Sequence, residues 1–585
     1  MKNLNDSIKE IFEIGFKKAG FENVDVAILP CNLANMGDFQ CNNALSIAKV
    51  FGKSPRDIAL KLLENIPDNE IICDCNIAGP GFINIKVQEK YLQKYLTNFF
   101  DAIDEKLDID SDNIIIDYGG ANVAKPLHVG HMRSAIIGES IKRICRMAGN
   151  NALGDVHLGD FGLQMGMVIS EIKRRFPDLV YFDDEYTGEY PSVSPVTIKD
   201  LETLYPEANA KAKADENIMN EAKQATLDFQ NGKRGYVALC KNILDISKAD
   251  LKKNYDSLNV SFDLWLGESD SKKYCDKVIS EIENKGLSRV SEGALIVDVA
   301  QDDDKIEVPP FILKKSDGAV LYSTTDLATI VQRQKEYNAD RIIYVVDNRQ
   351  EMHFTQLFRC VEKTGILEKS IKFDFVGFGT MNGKDGKPYK TRDGGVMQLK
   401  SLIDEVKQKA LEKVQLAKGN DLSYSADEMK EISDTVAISA LKFADLSIYR
   451  SKDYIFDVDK FCSFEGKTGP YILYTITRAK SILRKIENLE IGDNFDISYC
   501  PKELIFALID FKEEVKKAYS ELAPSYLCDY IYKIANSFNA FYNTCNIINE
   551  QDIVKKETWI KLTKYTLQVM EKVADLLGIK TLNKM

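Results

Sequence analysis

Residues 113–131 read NIIIDYGGANVAKPLHVGH, and this stretch decides the fold that we expect for the chain. Residues 114–118 form an apolar run typical of a buried strand, and a helical pattern follows at residues 132–147. Two histidines, His128 and His131, stand at the junction between them. The first N–H groups of a helix have no partner within the helix, and the helix dipole favours anions there. The junction is therefore a natural phosphate site.

Histidine is rare in this chain, which has 585 residues and only four histidines. A His-x-Gly-His motif is therefore unexpected by chance and indicates a function. The alternative is that both are helix-start histidines without a catalytic role. The other two are His157 and His353, and we expect His353 to be a buried structural residue.

The composition is that of an ordinary globular chain, with 44% hydrophobic and 28% charged residues. No apolar run is long enough to span a bilayer, and acidic residues near the start argue against a secretory signal peptide. The twelve cysteines include no Cys-x-x-Cys pair, so we predict reduced thiols, no metal site and a cytoplasmic location. The net charge of −12 argues against a protein that binds nucleic acid over its whole surface.

The chain falls into segments with different patterns. Residues 1–105 mix helical periodicity with strand-like runs, which predicts a small α+β domain. Strands alternate with helices over residues 110–400, which predicts a parallel sheet with ligands at the carboxyl ends of its strands. A polar helical insertion occupies about residues 175–255, and helices continue through residues 401–465 and 466–585.

Individual elements are predicted within these segments. Helical periodicity covers residues 44–65 in the N-terminal domain. Strand-like segments follow the first strand at residues 151–156, 294–299, 319–322, 341–346 and 373–378.

A basic segment lies much later in the chain. Residues 381–395 read MNGKDGKPYKTRDGG and include Lys384, Lys387, Lys390 and Arg392; we call this segment the lysine loop. A loop of this kind can cover a polyphosphate and neutralise its charge. Taken alone, such a segment is more often a solvated basic turn.

Both segments resemble the signatures of one enzyme family. ANVAKPLHVGH at residues 121–131 resembles the first signature of class I aminoacyl-tRNA synthetases, nominally His-Ile-Gly-His. GKPYKTRDGG at residues 386–395 resembles the second, nominally Lys-Met-Ser-Lys-Ser, in the divergent form of the arginyl members. Further matches to the arginyl members are GDVHLGDFGLQMG (154–166), SDGAVLYSTTDLA (316–328) and DYIFDVDKFCSFEGKTGPYILYTITR (453–478).

This resemblance covers the chain from end to end and implies its architecture. It implies a Rossmann-type α/β catalytic domain at residues 110–400, with an α+β domain before it and an all-α domain after it. Residues 1–105 are then expected to bind the tRNA elbow. A helical connector is expected at residues 401–465, and an anticodon-binding domain at residues 466–585.

The resemblance also implies a reaction and its partners. The family ligates L-arginine to tRNA(Arg) through an arginyl-adenylate made from ATP, with Mg²⁺. A monomer without membrane association is the expected form of such an enzyme.

The phosphate chemistry is assigned by this resemblance to the two signatures. His128 and His131 are expected to donate hydrogen bonds to phosphate oxygens that gain charge in the transition state. The second signature here lacks its usual central serine, so Lys390 is the expected pyrophosphate ligand, with Lys125 as its helper. The remaining candidates for ATP binding are Gly130, Gly159, Asp160 and Lys387.

An arginine substrate requires acceptors that match the planar fork of its guanidinium group. Asp117 ends the first strand of the predicted sheet, where ligands bind in this architecture. Asp326 lies in STTDLA, which could instead be a helix start with the aspartate as a cap. By resemblance, Asp326 and Asp117 belong to the arginine site, Tyr322 packs beside the guanidinium, and Asn122 and Gln350 lie nearer the amino and carboxylate groups.

Three residues near the start of the C-terminal segment form a second candidate site. Tyr471, Tyr474 and Arg478 are spaced by three and four residues, which places them on one face of a helix. That face could stack unpaired bases, or it could be a core stripe with an arginine that reaches the surface. The resemblance favours anticodon binding.

Other functions are open on the residues alone. The chain could be a class I synthetase for another amino acid, a non-catalytic tRNA-binding paralogue, or a nucleotidyltransferase that activates a small acid without RNA. Asp117 and Asp326 disfavour an apolar substrate, and the intact histidine pair disfavours a non-catalytic protein. The length of the chain disfavours the third function.

Overall fold

The structure is a computed structural model that describes residues 2–31, 36–107, 109–316, 318, 320–389, 397–418, 424–487, 492 and 494–585. Its contacts divide the chain into two compact units. The first comprises Met1–Glu105, Ala479–Glu513 and Lys533–Val569, and the second comprises Lys106–Arg478, Glu514–Tyr532 and Met570–Met585. No helix within the described ranges has both the length and the apolar character needed to cross a bilayer.

The N-terminal part of the first unit has the predicted α+β character. Its elements are α1 (Leu4–Lys18), β1 (Ile28–Pro30), β2 (Phe39–Cys41), α2 (Asn43–Phe51), α3 (Pro55–Leu63), β3 (Ile72–Ala78), β4 (Phe82–Val87) and α4 (Glu89–Asp101). The four strands form an antiparallel sheet in the order β1-β2-β4-β3. Ile8, Phe12 and Leu62 are fully buried and belong to the core of this unit.

The continuous helical stretch predicted at residues 44–65 is wrong, because α2 and α3 are separate helices. Gly52 takes the left-handed conformation, with φ of 61°, and ends α2. The Ser54 side chain then accepts a hydrogen bond from the backbone N–H of Asp57 and caps α3, which begins at Pro55. The break was readable in the Gly-x-Ser-Pro sequence.

The second unit contains the alternating strands and helices. The elements through its helical insertion are β5 (Asn113–Asp117), α5 (Val129–Met147), β6 (Asn151–Asp155), α6 (Leu163–Arg175), α7 (Ile198–Ala214), α8 (Glu216–Gln230), α9 (Arg234–Ser257) and α10 (Glu268–Asn284). Then follow β7 (Arg289–Ser291), β8 (Ala294–Val297), β9 (Phe311–Lys314), α11 (Tyr322–Tyr337), β10 (Arg341–Asp347), α12 (Glu351–Thr364), β11 (Lys372–Phe378) and β12 (Met381–Asn382).

The rest of the chain is almost entirely helical, as predicted. Its elements are α13 (Leu399–Lys418), α14 (Ala426–Leu446), β13 (Tyr454–Ile455), α15 (Val458–Phe461), α16 (Gly469–Lys485), α17 (Lys502–Ile509), α18 (Phe511–Ser520), α19 (Ser525–Thr544) and α20 (Ile553–Leu576).

The predicted parallel sheet is confirmed, with the strand order β11-β10-β5-β6 and parallel pairing throughout. Helix α5 connects β5 to β6, and α12 connects β10 to β11. The chain therefore leaves the adjacent strands β5 and β10 in opposite directions across the sheet. Such a switch point opens a crevice at the carboxyl ends of the two strands, where ligands bind in α/β proteins.

Helix α5 packs closely onto the end of β5. Gly138 of this helix faces the ring of Tyr118, and the approach leaves no room for a Cβ atom. The Tyr118 hydroxyl in turn donates a hydrogen bond to the Ser261 carbonyl at 2.8 Å. This packing fixes the start of α5, and with it the two histidines, relative to the sheet.

One predicted strand is wrong and another belongs to a different sheet. In the predicted segment 319–322, Ala319 lies outside the described residues, residues 320 and 321 are in no strand, and Tyr322 begins α11. The Ser323 and Thr324 hydroxyls donate hydrogen bonds to the Ile312 and Leu313 carbonyls of β9 and fix the first helical turn. The predicted segment at residues 294–299 contains β8, which lies in a three-stranded antiparallel sheet with the order β7-β8-β9.

Candidate functional site

A cavity of about 810 Å³ opens at the carboxyl ends of β5 and β10. Both signature histidines and all the residues predicted for the arginine site line it: Asp117, Asn122, His128, Gly130, His131, Tyr322, Asp326 and Gln350. These residues come from four separate stretches of the sequence, and the fold brings their side chains together around one cavity.

The two histidines form a reciprocal cap at the first turn of α5. The Nδ1 atom of His128 accepts a hydrogen bond from the Gly130 backbone N–H at 3.1 Å. The Nδ1 atom of His131 accepts one from the His128 backbone N–H, also at 3.1 Å. The ring centroids lie 3.8 Å apart. A neutral imidazole that accepts at Nδ1 carries its proton on Nε2, so each ring keeps one N–H to donate.

Both histidines are neutral at physiological pH. Burial, His128 and Lys125 together lower the pKa of His131 to about 3. Burial lowers the pKa of His128 as well, and the charges of Arg349 and Lys125 act in the same direction. Neutral imidazoles cannot serve as cationic phosphate ligands, so the chemistry available to them is hydrogen-bond donation from Nε2.

A buried ion-pair network lies below this cavity. The Arg333 guanidinium is fully buried and contacts the Asp117 carboxylate at 2.6 Å and the Asp155 carboxylate at 2.7 Å. Burial raises the pKa of Asp117, and the charge of Arg333 opposes this shift. Asp117 therefore lines the cavity as predicted, but one of its carboxylate oxygens is already held by an arginine of the same chain.

The same network bears on whether the protein itself holds a metal ion. Asp117, Asp155 and His157 could each offer a ligand atom within 4.8 Å of the others. However, Arg333 already supplies the positive charge between the two carboxylates. This donor set does not fit a divalent cation.

A second acidic group lies at another part of the cavity wall. Asp326 contacts the Nε2 atom of His353 at 2.7 Å, and Glu268, the first residue of α10, lines the same cavity. Burial, reinforced by the charge of Asp326, raises the pKa of Glu268 to about 7. The Tyr322 ring is 59% exposed and lies 4.9 Å from the His353 ring. Two carboxylates and an aromatic ring are the groups that a guanidinium requires.

Neither Glu268 nor the contact of His353 with Asp326 was predicted from the sequence. Glu268 follows a glycine at a helix start, where an acidic residue is common for dipole reasons alone, and no motif surrounds it. His353 was expected to be a structural residue, whereas its ring is bonded to Asp326 at the cavity. The contact joins residues of two different helices, α11 and α12, so the local sequence of neither helix predicts it.

Some predicted ATP ligands are not among the described residues that line the cavity. Asp160 accepts hydrogen bonds from the Ser269 N–H at 2.9 Å and the Ser269 hydroxyl at 2.6 Å. Gly159 donates its N–H to the Ala121 carbonyl at 3.0 Å. Gly159 thus holds the loop before α5, and Asp160 holds the start of α10. Both residues therefore support the elements that carry the site residues.

Two of the three predicted lysines, Lys125 and Lys387, are described and do not line the cavity. The Lys125 ammonium lies 4.6 Å from the centre of the Tyr205 ring, which belongs to helix α7 of the insertion. Lys387 is exposed in a turn that is closed by a hydrogen bond from the Gly383 N–H to the Lys387 carbonyl at 2.8 Å. Lys390 lies outside the described residues.

The candidate anticodon residues share one face of α16. The Arg478 guanidinium lies 4.7 Å from the centre of the Tyr474 ring and donates a hydrogen bond to its hydroxyl at 3.1 Å. Tyr474 is 41% exposed, and the Tyr471 ring lies 5.8 Å from that of Tyr532. An exposed tyrosine beneath a guanidinium is a surface on which a base can stack.

Comparisons with known proteins agree along the whole chain. Residues 99–458 match the family model "tRNA synthetases class I (R), catalytic domain". Residues 472–585 match the DALR anticodon binding domain, and residues 1–87 match the arginyl tRNA synthetase N terminal domain. The chain is 49% identical to a protein of Alkaliphilus oremlandii and 46% identical to one of Agathobacter rectalis, each named arginine–tRNA ligase, with 100% of both chains covered.

Solved structures give the same result. The arginyl-tRNA synthetase of Plasmodium falciparum superimposes with a TM-score of 0.79 at 26% identity, covering 100% of both chains. The Thermus thermophilus arginyl-tRNA synthetase superimposes with a TM-score of 0.78 at 21% identity and the same coverage, which shows a shared fold.

Proposed function

Because the chain belongs to the class I arginyl-tRNA synthetases, we propose that it ligates L-arginine to tRNA(Arg) at the cavity described above. One observation carries the proposal: two neutral imidazole donors and a half-buried pair of carboxylates, Asp326 and Glu268, line the same cavity. The donors suit the phosphates of ATP, and the carboxylates suit a guanidinium.

The proposed reaction has two steps. In the first, a carboxylate oxygen of arginine bonds to the α-phosphorus of ATP while the bond from that phosphorus to the bridging oxygen breaks, which releases pyrophosphate. In the second, a ribose hydroxyl at the tRNA 3′ end loses its proton and attacks the arginyl carbonyl carbon, which releases AMP. Phosphoryl transfer of this kind needs positioning and charge stabilisation rather than covalent help from the protein.

The two histidines would act as donors in the first step. Because Nδ1 of each ring accepts a backbone hydrogen bond, each Nε2–H is free of the capping role and is oriented by it. Gly130 between them keeps the backbone close to the cavity, whose wall it also lines. Preorganised donors of this kind stabilise charge as it develops on the phosphate oxygens.

The lysines would neutralise the polyphosphate tail. We propose that Lys125, Lys387 and Lys390 approach the phosphates, with Lys390 as the main pyrophosphate ligand. Because Asp117 and Asp155 are paired with Arg333, Mg²⁺ would enter as the counterion of ATP and be held mainly by its phosphates. Gly159 and Asp160 would then contribute by holding the loop rather than by contacting the nucleotide.

The arginine side chain would lie at the acidic part of the cavity. Asp326 and Glu268 would accept from the guanidinium, and Tyr322 would pack against its plane. His353 would hold the Asp326 carboxylate through their 2.7 Å contact. The free oxygen of Asp117, with the Asn122 and Gln350 side chains, would serve the amino and carboxylate groups, in line with the expectation from the sequence.

The tRNA would contact the chain at two further places. We propose that residues 1–105 bind the tRNA elbow, and that Tyr471, Tyr474 and Arg478 bind the anticodon through base stacking. The matched anticodon-binding and N-terminal family models support this division. All twelve cysteines are free thiols, which supports a reducing location, and we propose a cytoplasmic monomer.

The proposed function is tested by attachment of amino acids to tRNA. Purified protein is incubated with ATP, tRNA(Arg) and each of the twenty radiolabelled amino acids, and acid-precipitable label is counted. We expect label from arginine only. Preferential attachment of another amino acid would identify a synthetase of different specificity, and tRNA binding without attachment would identify a non-catalytic paralogue; either result would refute the proposal.

A pH dependence of arginine use follows from Glu268. Because burial and Asp326 raise its pKa to about 7, Glu268 loses its negative charge as the pH falls through 7. The neutral acid cannot pair with a guanidinium, so kcat/KM for arginine is expected to fall about tenfold per pH unit below that point. The measurement is arginine-dependent ATP–pyrophosphate exchange, in the presence of tRNA, between about pH 5.5 and 8.5.

The control for this prediction is Glu268→Gln, which keeps the shape of the side chain but cannot titrate. This variant should have a lower kcat/KM at high pH and should lose the decline below pH 7. A wild-type profile that is flat, or that is matched by the variant, would contradict the assignment of Glu268.

A further inference from the structure

The residues that follow the lysine loop are attached directly to the histidine motif. The Leu399 N–H donates to the Leu127 carbonyl at 2.8 Å, and the Val129 N–H donates to the Met397 carbonyl at 3.4 Å. His128 and Gln398 thus form an antiparallel bridge. Residues 397–399 are therefore held against the backbone around His128.

The leading end of the loop is attached through a small parallel sheet. In this sheet β12 pairs with β13, with Met381 opposite Tyr454. The Phe456 N–H donates to the Asn382 carbonyl at 2.8 Å, and the Thr380 N–H donates to the Asp453 carboxylate at 2.6 Å. The position of β13 therefore sets where the loop begins.

A loop lysine is tied to the chain that follows β13. The Lys384 ammonium lies 3.2 Å from the Asp457 carboxylate, two residues beyond the end of β13. The charge of Lys384 is therefore placed by the same segment that holds the first strand of the loop.

Arg133 joins these pieces to the histidine helix. It lies on α5, five residues after His128, and its side chain is 1% exposed. Its guanidinium pairs with the Asp445 carboxylate of α14 at 2.7 Å and donates to the Gly379 carbonyl just before β12. It also lies 5.0 Å from the centre of the Tyr454 ring in β13. One side chain thus links α5 to α14, to β13 and to the residue that leads into β12.

An ion pair that is buried to this degree is weak evidence for stability, because removing both charges from water costs about as much as their attraction returns. Its geometry is the more informative feature. The Nη1 atom of Arg133 donates to two backbone carbonyls, that of Gly379 before β12 and that of Lys452 before β13, the latter at 3.5 Å. A compact lysine ammonium lacks the planar group that spans these carbonyls and the Asp445 carboxylate. Arg133 is therefore suited to fixing the distance between the histidines and the start of the lysine loop.

We propose that Arg133 and Asp445 are positioning residues that hold the leading part of the lysine loop, residues 381–389, in register with His128 and His131. Through the loop they act on the ATP polyphosphate and not on the arginine end of the cavity. The inference rests on the proposed function, since it assumes that the loop lysines meet ATP.

The test compares the ATP and arginine dependence of pyrophosphate exchange in Arg133→Lys and in Asp445→Asn. We expect kcat/KM for ATP to fall about 10- to 100-fold, because a misplacement of about 1 Å has effects of that size. The KM for arginine should stay within about twofold. Asp445→Asn serves as the second variant because it nearly preserves the volume at that position.

A matched control separates positioning from loss of stability. Arg341 is 5% exposed, and its guanidinium donates two hydrogen bonds to the Asp374 carboxylate, at 2.6 and 3.0 Å. It is the first residue of β10, whereas the cavity opens at the carboxyl end of that strand. Arg341→Lys should lower the melting temperature without changing either kinetic constant. Equal losses in this control and in Arg133→Lys would overturn the proposal.

A double-mutant cycle identifies the route of the effect. In a Lys384→Ala/Lys387→Ala background, Arg133→Lys should cost much less activity than in the wild type, because the groups it positions are gone. The proposal would be overturned if Arg133→Lys lowered kcat/KM for ATP by the same factor in the wild type and in the Lys384→Ala/Lys387→Ala background. It would also be overturned if the Lys384→Ala/Lys387→Ala variant had unchanged kinetic constants for ATP. A wild-type protein that does not activate arginine would instead refute the proposed function, so the two failures are distinguishable.

Discussion

Replacing His131 by asparagine is expected to lower the rate of arginine activation by about 100- to 1000-fold, the effect of removing one preorganised donor. The asparagine oxygen can still accept the His128 N–H and preserve the cap, but it has no group where Nε2–H lay. The loss therefore isolates phosphate stabilisation from helix capping. His128→Asn should behave in the same way, because His128 caps the Gly130 N–H through its own Nδ1.

The measurement is tRNA-dependent ATP–pyrophosphate exchange at saturating arginine, with thermal unfolding alongside it. His131→Gln is the matched variant, since its amide nitrogen reaches nearer to the position of Nε2 and should recover part of the rate. An Asn variant with normal exchange, or a Gln variant no better than Asn, would contradict the role of Nε2–H. If His131 acted as a general base, activity would fall as the pH drops through its pKa of about 3. Titration of Glu268 instead predicts a fall in activity below about pH 7.

Replacing Asp326 by alanine is expected to raise the KM for arginine by about 100-fold. Truncating one partner of a desolvated charge pair costs about 2–5 kcal/mol, and each 1.4 kcal/mol is a factor of ten. The variant also leaves the His353 ring without its carboxylate partner. Glu268 remains, so arginine binding should be weakened rather than abolished.

The internal control for Asp326→Ala is the KM for ATP, which should change less than about threefold because the imidazole donors are untouched. Kinetic constants for both substrates come from the same exchange assay. An unaltered arginine KM would show that Asp326 is only a helix-start residue, the alternative that the sequence left open. A parallel rise in both KM values would indicate a general disturbance of the cavity.

The parts of the fold that could be predicted are those with a local signal. The buried run 114–118 and the helical pattern after His131 were enough to place β5, α5 and a ligand site at the carboxyl end of β5, because their periodicity lies within a few residues. The break between α2 and α3 was missed although its glycine and proline are visible in the sequence. The strand prediction for residues 320–322 was wrong because the hydroxyl contacts of Ser323 and Thr324 to β9 start a helix at Tyr322.

The site was predictable only where a motif marked it. Arg333 has no motif, and its importance lies in its pairing with Asp117 and Asp155, which are 216 and 178 residues away along the chain. Glu268 is similar, since its raised pKa comes from burial that only the tertiary structure creates. The contact of Lys125 with Tyr205 was also not predictable from the sequence, because it joins the helical insertion to the loop before the histidines.

The most direct test of the account is the discrimination between arginine and lysine. The carboxylates of Asp326 and Glu268 can both pair with the guanidinium of arginine, whereas the ammonium of lysine would leave them imperfectly paired. The kcat/KM for arginine should therefore exceed that for lysine by about 10⁴-fold or more. The measurement is pyrophosphate exchange with each amino acid in the presence of tRNA(Arg). A ratio below about 100, or faster activation of any other amino acid, would contradict the claim that this cavity is built for arginine.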